Sequence, residues 1–110
     1  MQYELTILET NEGKTPFIDW LEKLDIKTQA RINNRISRIK SGNFGDFKSI
    51  GDKVFELRLF FGSGYRIYYG IIEERIVLVI SGGDKANQRR DIQKAKKLWA
   101  TYFEEEKKNG

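Results

Sequence analysis

The chain has 110 residues, with 20 basic and 16 acidic side chains, a formal net charge of +4, and neither Cys nor His. This length fits a single domain, residues 1–110, whose polar end from about residue 104 we expect to fray. Without Cys and His, disulfides, thiol nucleophiles, histidine bases and ordinary zinc sites are excluded. The sequence also lacks clustered carboxylates for a metal and any apolar run long enough to cross a bilayer, so we expect a cytoplasmic protein that needs no cofactor and no membrane.

The first quarter of the chain predicts one strand and one short helix. Residues 3–8 alternate apolar and polar side chains, which is the pattern of a half-buried strand. Thr15 and Pro16 are typical of a helix start, because proline at the first helical position gives up no hydrogen bond. Phe17, Leu21 and Leu24 then fall on one face of the predicted helix.

A second helix with two parallel stripes is predicted after Asp25, its expected N-cap. Isoleucines repeat at helical spacing at positions 32, 36 and 39, and arginines repeat at the same spacing one position earlier. We expect the isoleucines to face the core and the arginines to lie on its flank. The arginines either cover the core edge with their aliphatic stems or contact phosphate. Gly42 is the expected left-handed end of this helix.

An antiparallel meander is predicted after a loop over residues 43–52. Its strands are expected at about 53–61, 65–72 and 75–81, with glycines at 82 and 83 closing the sheet. A third helix follows Lys85, with Asn87 as its expected cap. The order β-α-α-β-β-β-α predicts an α+β fold: a small antiparallel-dominated sheet with helices packed on one face, and the other face free for a site.

The positive charge is concentrated in the middle of the chain, where residues 27–66 hold 9 basic and 3 acidic side chains. Such a field attracts polyanions without selecting among RNA, DNA, membranes and acidic proteins. Strand alternation puts Arg58 and Arg66 on one sheet face, with Glu56 and Tyr68 nearby. Because like charges repel across a sheet, either a bound phosphate or an ion pair with Glu56 must relieve this repulsion.

Residues 56–92 resemble the RelE/ParE toxin superfamily, most closely its HigB-like branch of phage-related addiction-module killer proteins. The motifs that carry the resemblance are ELR at 56–58, GYRIYY at 64–69 and GGDKANQRRDI at 82–92. The resemblance implies a RelE-like fold and a toxin of a type II toxin–antitoxin system. It also implies inhibition of translation by metal-independent, ribosome-dependent cleavage of mRNA, an endoribonuclease reaction that uses the ribose 2′-OH.

The resemblance also implies roles for individual residues. Arg66 is expected to stabilise the transition state, Arg58 to contact phosphate, and Lys85 either to bind phosphate or to act as the general acid. Glu56 is a candidate general base, with a structural ion pair as the alternative. Tyr68 is a candidate for stacking on a base, with a packed strand tyrosine as the alternative. Apart from the resemblance, the positive charge of residues 27–66 makes Lys53, Arg31, Arg35 and Arg38 the remaining expected RNA-binding residues.

The expected partners follow from the same resemblance. They are mRNA, the ribosome and a cognate antitoxin, typically a helix-turn-helix protein whose acidic segment covers the toxin's basic face. Two other functions stay open, because the same fold carries ParE-like inhibitors of DNA gyrase and an inactive phage-derived remnant would only bind antitoxin. Retention of Arg58, Arg66 and Lys85 favours the nuclease, since a gyrase inhibitor does not need to clamp phosphate.

Overall fold

The computed structural model describes residues 2–109, with side chains as far as Glu105. In chain order its elements are β1 (Glu4–Ile7), α1 (Pro16–Glu22), α2 (Ile26–Ser37), a 3-10 turn (Arg38–Ser41), β2 (Phe47–Gly51), β3 (Val54–Arg58), β4 (Arg66–Ile72), β5 (Ile76–Gly83), a second 3-10 turn (Lys85–Asn87) and α3 (Gln88–Asn109). Gly110 and the side chains of 106–109 lie outside the described residues, so a frayed end from about residue 104 stays a prediction.

The strands form one sheet in the order β1-β5-β4-β3-β2. β1 pairs with β5 in parallel, and the other neighbouring strands pair antiparallel. The predicted α+β class with an antiparallel-dominated sheet is therefore confirmed. None of the helices in the described part of the chain combines the length and apolar character that a membrane span requires.

β2 lies where the sequence predicted a loop. It pairs with β3 across a tight turn in which Asp52 and Lys53 both have positive φ. Four of its five residues are exposed. An edge strand of this kind is held by main-chain hydrogen bonds and needs no buried face, so the alternation that marks an ordinary strand is missing.

Helices cover both faces of the sheet, so the prediction of helices on one face only is wrong. The α1 and α2 face buries Ile32 and Ile36 against Ile67. On the opposite face, α3 buries Trp99 against Tyr68. The third helix has its own apolar stripe, and the sheet offers it a second apolar surface because alternate residues of β4 and β5 are apolar on both sides.

β5 continues through the glycines that were expected to close the sheet. An extra residue, Ile80, forms a bulge in this strand opposite β4 and shifts the alternation of its last residues. A Cβ at Gly82 would overlap the ring of Trp20 in α1, and one at Gly83 would overlap the carboxylate of Asp91 in α3. The glycines thus let helices on both faces close on the same end of the sheet.

The helix ends follow the predicted chemistry in two cases and differ in one. The Asp25 carboxylate accepts a hydrogen bond from the backbone N–H of Thr28 at 3.2 Å, and Gly42 is left-handed with φ of 88°, although it ends the 3-10 turn that follows α2 and not α2 itself. The cap before α3 is Asp84, whose Oδ1 accepts from the N–H of Asn87 at 3.1 Å. Asn87 is therefore a capped residue, because the 3-10 turn begins two residues before it.

Gly70 in β4 provides the space in which Trp99 packs, since a Cβ at this position would overlap the indole ring. We expect Gly70→Ala to lower the free energy of unfolding by about 1–3 kcal/mol, because Trp99 must move out of its place in the core. Urea unfolding followed by circular dichroism measures this change. In a Trp99→Phe background the same substitution should cost less, and an equal cost in both backgrounds would contradict the overlap.

Candidate nucleic-acid interface

Three predicted cationic residues lie at one end of the sheet. Arg58 and Arg66 are directly opposite each other in β3 and β4. The backbone N–H of Lys85 points to the carbonyl of Ser63 at 3.5 Å, which joins the turn after β5 to the β3–β4 connection. A Cβ at Gly64 would lie 3.2 Å from the Lys85 Cβ and 3.3 Å from Nη1 of Arg66. Lys85 and Arg66 thus flank the same glycine.

The guanidinium group of Arg66 is held from two sides. Its Nη1 donates a hydrogen bond to the carbonyl of Gly64 at 2.7 Å. Its Nε lies 3.7 Å from Oε2 of Glu56, and its side chain is 11% exposed. A guanidinium group fixed in this way pays little further conformational entropy when an anion reaches its exposed edge.

Glu56 is fully buried, with 0% of its surface exposed. Gln88 donates to Oε2 at 2.9 Å, and the Tyr68 hydroxyl donates to the same oxygen at 3.1 Å. Lys48 Nζ lies 3.9 Å from Oε1. A general base must reach the proton that it removes, and this carboxylate is enclosed by protein donors. The contacts of Glu56 are therefore those of the structural ion pair, the alternative to a general base.

Tyr68 is the centre of the α3-covered face and does not present its ring to solvent. Its exposed fraction is 0%, so base stacking by this residue is a wrong prediction and the packed tyrosine is the observed arrangement. Burial, followed by the negative charge of Glu56, raises the pKa of the Tyr68 hydroxyl far above its ordinary value. Tyr68 consequently stays protonated and acts as a donor to Glu56.

A groove beside this end of the sheet contains the other arginines that the sequence predicts as RNA-binding residues, and we call it the basic groove. Its volume is about 450 Å³. It is lined by residues of α2, by Arg38 of the 3-10 turn that follows α2, by Arg58, and by side chains of the adjoining loops: Arg31, Asn34, Arg35, Arg38, Asp46, Arg58, Leu59, Phe60 and Phe61. The structure thus brings the predicted helix stripe and one predicted strand arginine into a single depression.

The lining arginines are held to different degrees. Arg31 lies over the ring of Phe61, 3.9 Å from its centroid, in a cation–π contact. Arg58 Nε lies 3.3 Å from the Asp46 carboxylate. Among the side chains that the structure describes, neither Arg31 nor Arg38 pairs with a carboxylate. These two exposed guanidinium groups are the ones available to a phosphate.

Arg35 has a structural task within the groove. Its Nη2 donates to the carbonyl of Phe44 at 2.9 Å, and its Nη1 points to the carbonyl of Asn43 at 3.4 Å. Burial, followed by the nearby charge of Arg38, lowers the pKa of Arg35. A Cβ at Gly45 would overlap this guanidinium group. Arg35 therefore ties the loop before β2 to α2.

Lys53 is the predicted RNA-binding residue that the structure does not bring to the groove. It lies in the β2–β3 turn, beside Tyr3, Ile71 and Glu74. The whole of β3 separates it from Arg58, a span of roughly 16 Å at about 3.3 Å per residue. Lys53 is thus at the opposite end of the sheet from the arginine pair.

Several residues at this end were not singled out by the sequence patterns. Gln88, the first residue of α3, donates to Glu56, and Asp46 faces Arg58 from the loop before β2. Phe60 lines the basic groove and is 82% exposed. Gln88 and Asp46 carry no local signal, because their partners are far away in sequence. Phe60, in contrast, stands two residues after Arg58 in the same predicted strand, and this spacing is a signal that the sequence contains.

We searched the described side chains for ligands that could bind a metal ion. The side chains that the structure describes contain no group of three or more carboxylates that could hold a metal ion. The groups that the interface offers to a polyanion are guanidinium and ammonium groups together with aromatic rings. Guanidinium groups match phosphate oxygens in a two-point geometry, and aromatic rings stack on bases.

The arrangement of helices and strands is a RelE-like fold. The E. coli toxin RelE, solved in the free state as a double arginine-to-alanine mutant, has 19% sequence identity to this chain and a TM-score of 0.59. The alignment covers 96% of this chain and 98% of that chain. The RelE-like fold expected from the sequence motifs is therefore confirmed.

The family is shown at the level of sequence. Residues 19–100 match the family described as Phage derived protein Gp49-like (DUF891), and the chain belongs to this family. An uncharacterized protein of Haemophilus influenzae is 47% identical over 83 residues, which cover 74% of this chain and 84% of the relative.

Proposed function

We propose that this chain is the toxin of a type II toxin–antitoxin system and that it inhibits translation by cleaving mRNA, without a metal and on the ribosome. Membership of a phage-derived family and a fold shared with the toxin RelE support this proposal. The observation that carries it is the fixed guanidinium group of Arg66, held by Glu56 and Gly64 beside Arg58 and Lys85.

The chemistry needs a cation at the reacting phosphate. Attack of a ribose 2′-OH on the adjacent phosphorus, in which its proton passes to water, gives a pentacoordinate phosphorane with added negative charge. Collapse of the phosphorane releases the 5′-oxygen, which takes up a proton, and leaves a 2′,3′-cyclic phosphate. Arg66 stabilises the charge that develops on the phosphorane, because its orientation is set before the reaction begins. Lys85 is exposed next to the same glycine, where it supplies a phosphate contact or the proton for the leaving oxygen.

The basic groove extends the binding surface away from the reacting phosphate. Arg31 and Arg38 bind flanking phosphates of the message, and Arg58 joins the groove to the Arg66 site. Arg35 contributes positive charge while it holds the loop before β2. An acidic segment of a cognate antitoxin would neutralise the toxin by covering the same groove, since one set of arginines cannot bind two polyanions at once.

Induction of the intact gene in growing bacteria, with growth followed and mRNA 5′ ends mapped, tests the proposal. We expect growth arrest together with new cuts inside coding regions that follow the reading frame. Growth arrest without new ends, combined with inhibition of gyrase supercoiling, would replace the nuclease by a gyrase inhibitor. Normal growth with the protein accumulated in folded form would identify a remnant that only binds antitoxin.

Replacing both Arg31 and Arg38 by glutamine is expected to weaken binding of single-stranded RNA and to flatten its dependence on salt. Each lost phosphate contact on a single strand lowers the slope of log K against log salt by about 0.7, so two contacts remove about 1.4. Fluorescence anisotropy over a series of salt concentrations measures the slope. Neither side chain has a carboxylate partner among the described residues, so we expect the fold to persist.

The matched control for this variant removes the same charge at the opposite end of the sheet. Lys53→Gln combined with Arg75→Gln also lowers the net charge by two, and both residues are exposed. We expect this control to retain the slope of the wild type. If the control lost as much of the slope of log K against log salt as the groove variant, the groove would contribute only general electrostatic attraction. That result would also support the RNA contact first predicted for Lys53.

A further inference from the structure

Phe60 and Phe61 are consecutive phenylalanines with opposite surroundings. Phe61 packs edge-on against Tyr65 at a centroid distance of 5.8 Å and carries Arg31 on its face. Phe60 is 82% exposed, whereas Phe47, another exposed aromatic residue, is 47% exposed. One ring of the pair is thus built into the protein, and the other is presented to solvent.

Phe60 differs from other exposed apolar residues in its position, because it lies in the basic groove. A single exposed apolar side chain on a protein surface needs no explanation, and Ile26 is exposed to the same 82% without lining the groove. Phe60, in contrast, lines the basic groove together with arginines from α2 and β3. An aromatic ring beside guanidinium groups is the combination by which proteins bind single-stranded nucleic acid, since phosphates meet cations and bases stack on rings.

The backbone that carries Phe60 is fixed although its side chain is exposed. The N–H of Leu59 donates to the carbonyl of Tyr65 at 2.9 Å, which closes the β3–β4 connection directly before Phe60. Gly62 follows in a left-handed conformation with φ of 61°, and a Cβ there would overlap the Tyr65 ring. A stacking partner therefore meets a ring whose attachment point does not have to be ordered on binding.

We propose that Phe60 is the base-stacking residue of the basic groove. One nucleobase of a bound single-stranded RNA lies on its ring, and the flanking phosphates contact Arg31, Arg38 and Arg58. This inference rests on the proposed function, because it assumes that the groove binds RNA. It places the stacking contact on a loop residue, where the sequence patterns had suggested the buried Tyr68.

The test uses the full chain and a short fluorescein-labelled RNA in which every ribose is 2′-O-methylated, so that no 2′-OH is available for cleavage. We expect Phe60→Leu to weaken binding by roughly 5- to 150-fold, the loss that corresponds to one stacked base. Phe60→Trp should keep the affinity, because it retains an aromatic face. Ile26→Ala is the matched control, since it removes an equally exposed apolar side chain outside the groove.

A second comparison separates stacking from other contacts. Oligonucleotides with one abasic position, moved stepwise along the strand, should bind the wild type more weakly at the position that stacks on Phe60. The same lesion should have little further effect on Phe60→Leu, because the two changes remove one interaction. Phe60→Trp adds the fluorescence of one tryptophan to that of the wild type. We expect this added fluorescence to be quenched when the intact oligonucleotide binds.

The outcomes separate this inference from the proposed function. Equal affinities for wild type and Phe60→Leu, with no abasic effect, would overturn the role of Phe60, while mRNA cleavage by the wild type in a translation reaction judges the proposed function independently. Failure of the wild-type chain to bind the oligonucleotide would also overturn the inference. If Phe60→Leu lost only the capture of a co-produced antitoxin, the ring would belong to a protein interface and the inference would be wrong.

Discussion

Arg66→Ala is expected to lower the rate of mRNA cleavage by about 10²–10³-fold, which is the loss measured when one preorganised donor is removed from a developing oxyanion. The guanidinium group of Arg66 is set in place by Gly64 and Glu56 before substrate arrives. Its removal therefore leaves the phosphorane charge without a fixed donor. Single-turnover cleavage of a programmed ribosomal complex measures the loss, and cells that produce the variant should continue to grow.

Two further variants give this result its meaning. Arg66→Lys retains the charge without the planar fork, so we expect it to recover little of the activity. Arg75→Ala removes an exposed arginine at the opposite end of the sheet and should cleave like the wild type. Because Arg66→Ala also takes a partner from a buried carboxylate, folding is checked by circular dichroism before rates are compared. Undiminished cleavage by folded Arg66→Ala would remove this residue from the mechanism.

The strand pattern predicted the central geometry of the site because it depends on local periodicity. Alternation placed Arg58 and Arg66 on one sheet face with Glu56 and Tyr68 nearby, and the register of β3 and β4 adds that Arg58 lies opposite Arg66 and Glu56 opposite Tyr68. Helical spacing likewise predicted Arg31, Arg35 and Arg38 as one stripe, and all three line the groove. Patterns of this kind are readable because strands and helices repeat over distances shorter than the elements themselves.

The parts that were missed depend on contacts between distant segments. β2 is an edge strand without a buried face, so its residues carry no alternation. The burial of Tyr68 follows from α3, which covers a face that the order of elements alone left open. Lys53 was grouped with the RNA-binding residues by charge, although the length of β3 places it far from Arg58. Charge along a sequence does not say at which end of a strand a side chain lies.

The second large effect is expected for Glu56→Ala, which should lower the free energy of unfolding by about 3–5 kcal/mol. This carboxylate is fully buried and accepts hydrogen bonds from Tyr68 and Gln88 while it faces Arg66. Without the carboxylate, Arg66, whose side chain is 11% exposed, and two polar donors lose their partner at once. Urea unfolding measures the loss, which is a large part of the stability of an ordinary domain.

A graded series separates this structural role from general-base catalysis. Tyr68→Phe removes one donor and leaves the other contacts of Glu56, so we expect a smaller loss of about 1.5–3 kcal/mol. Glu56→Gln keeps the shape of the side chain and one acceptor oxygen, and it should be less destabilised than Glu56→Ala.

A positioning role predicts that Glu56→Gln cleaves more slowly with the pH profile of the wild type, because the residue acts through Arg66. A general base predicts that the acidic limb of the profile disappears at unchanged stability. That second result would contradict the enclosed carboxylate, since proton transfer from a ribose requires access that a side chain with 0% exposure does not have.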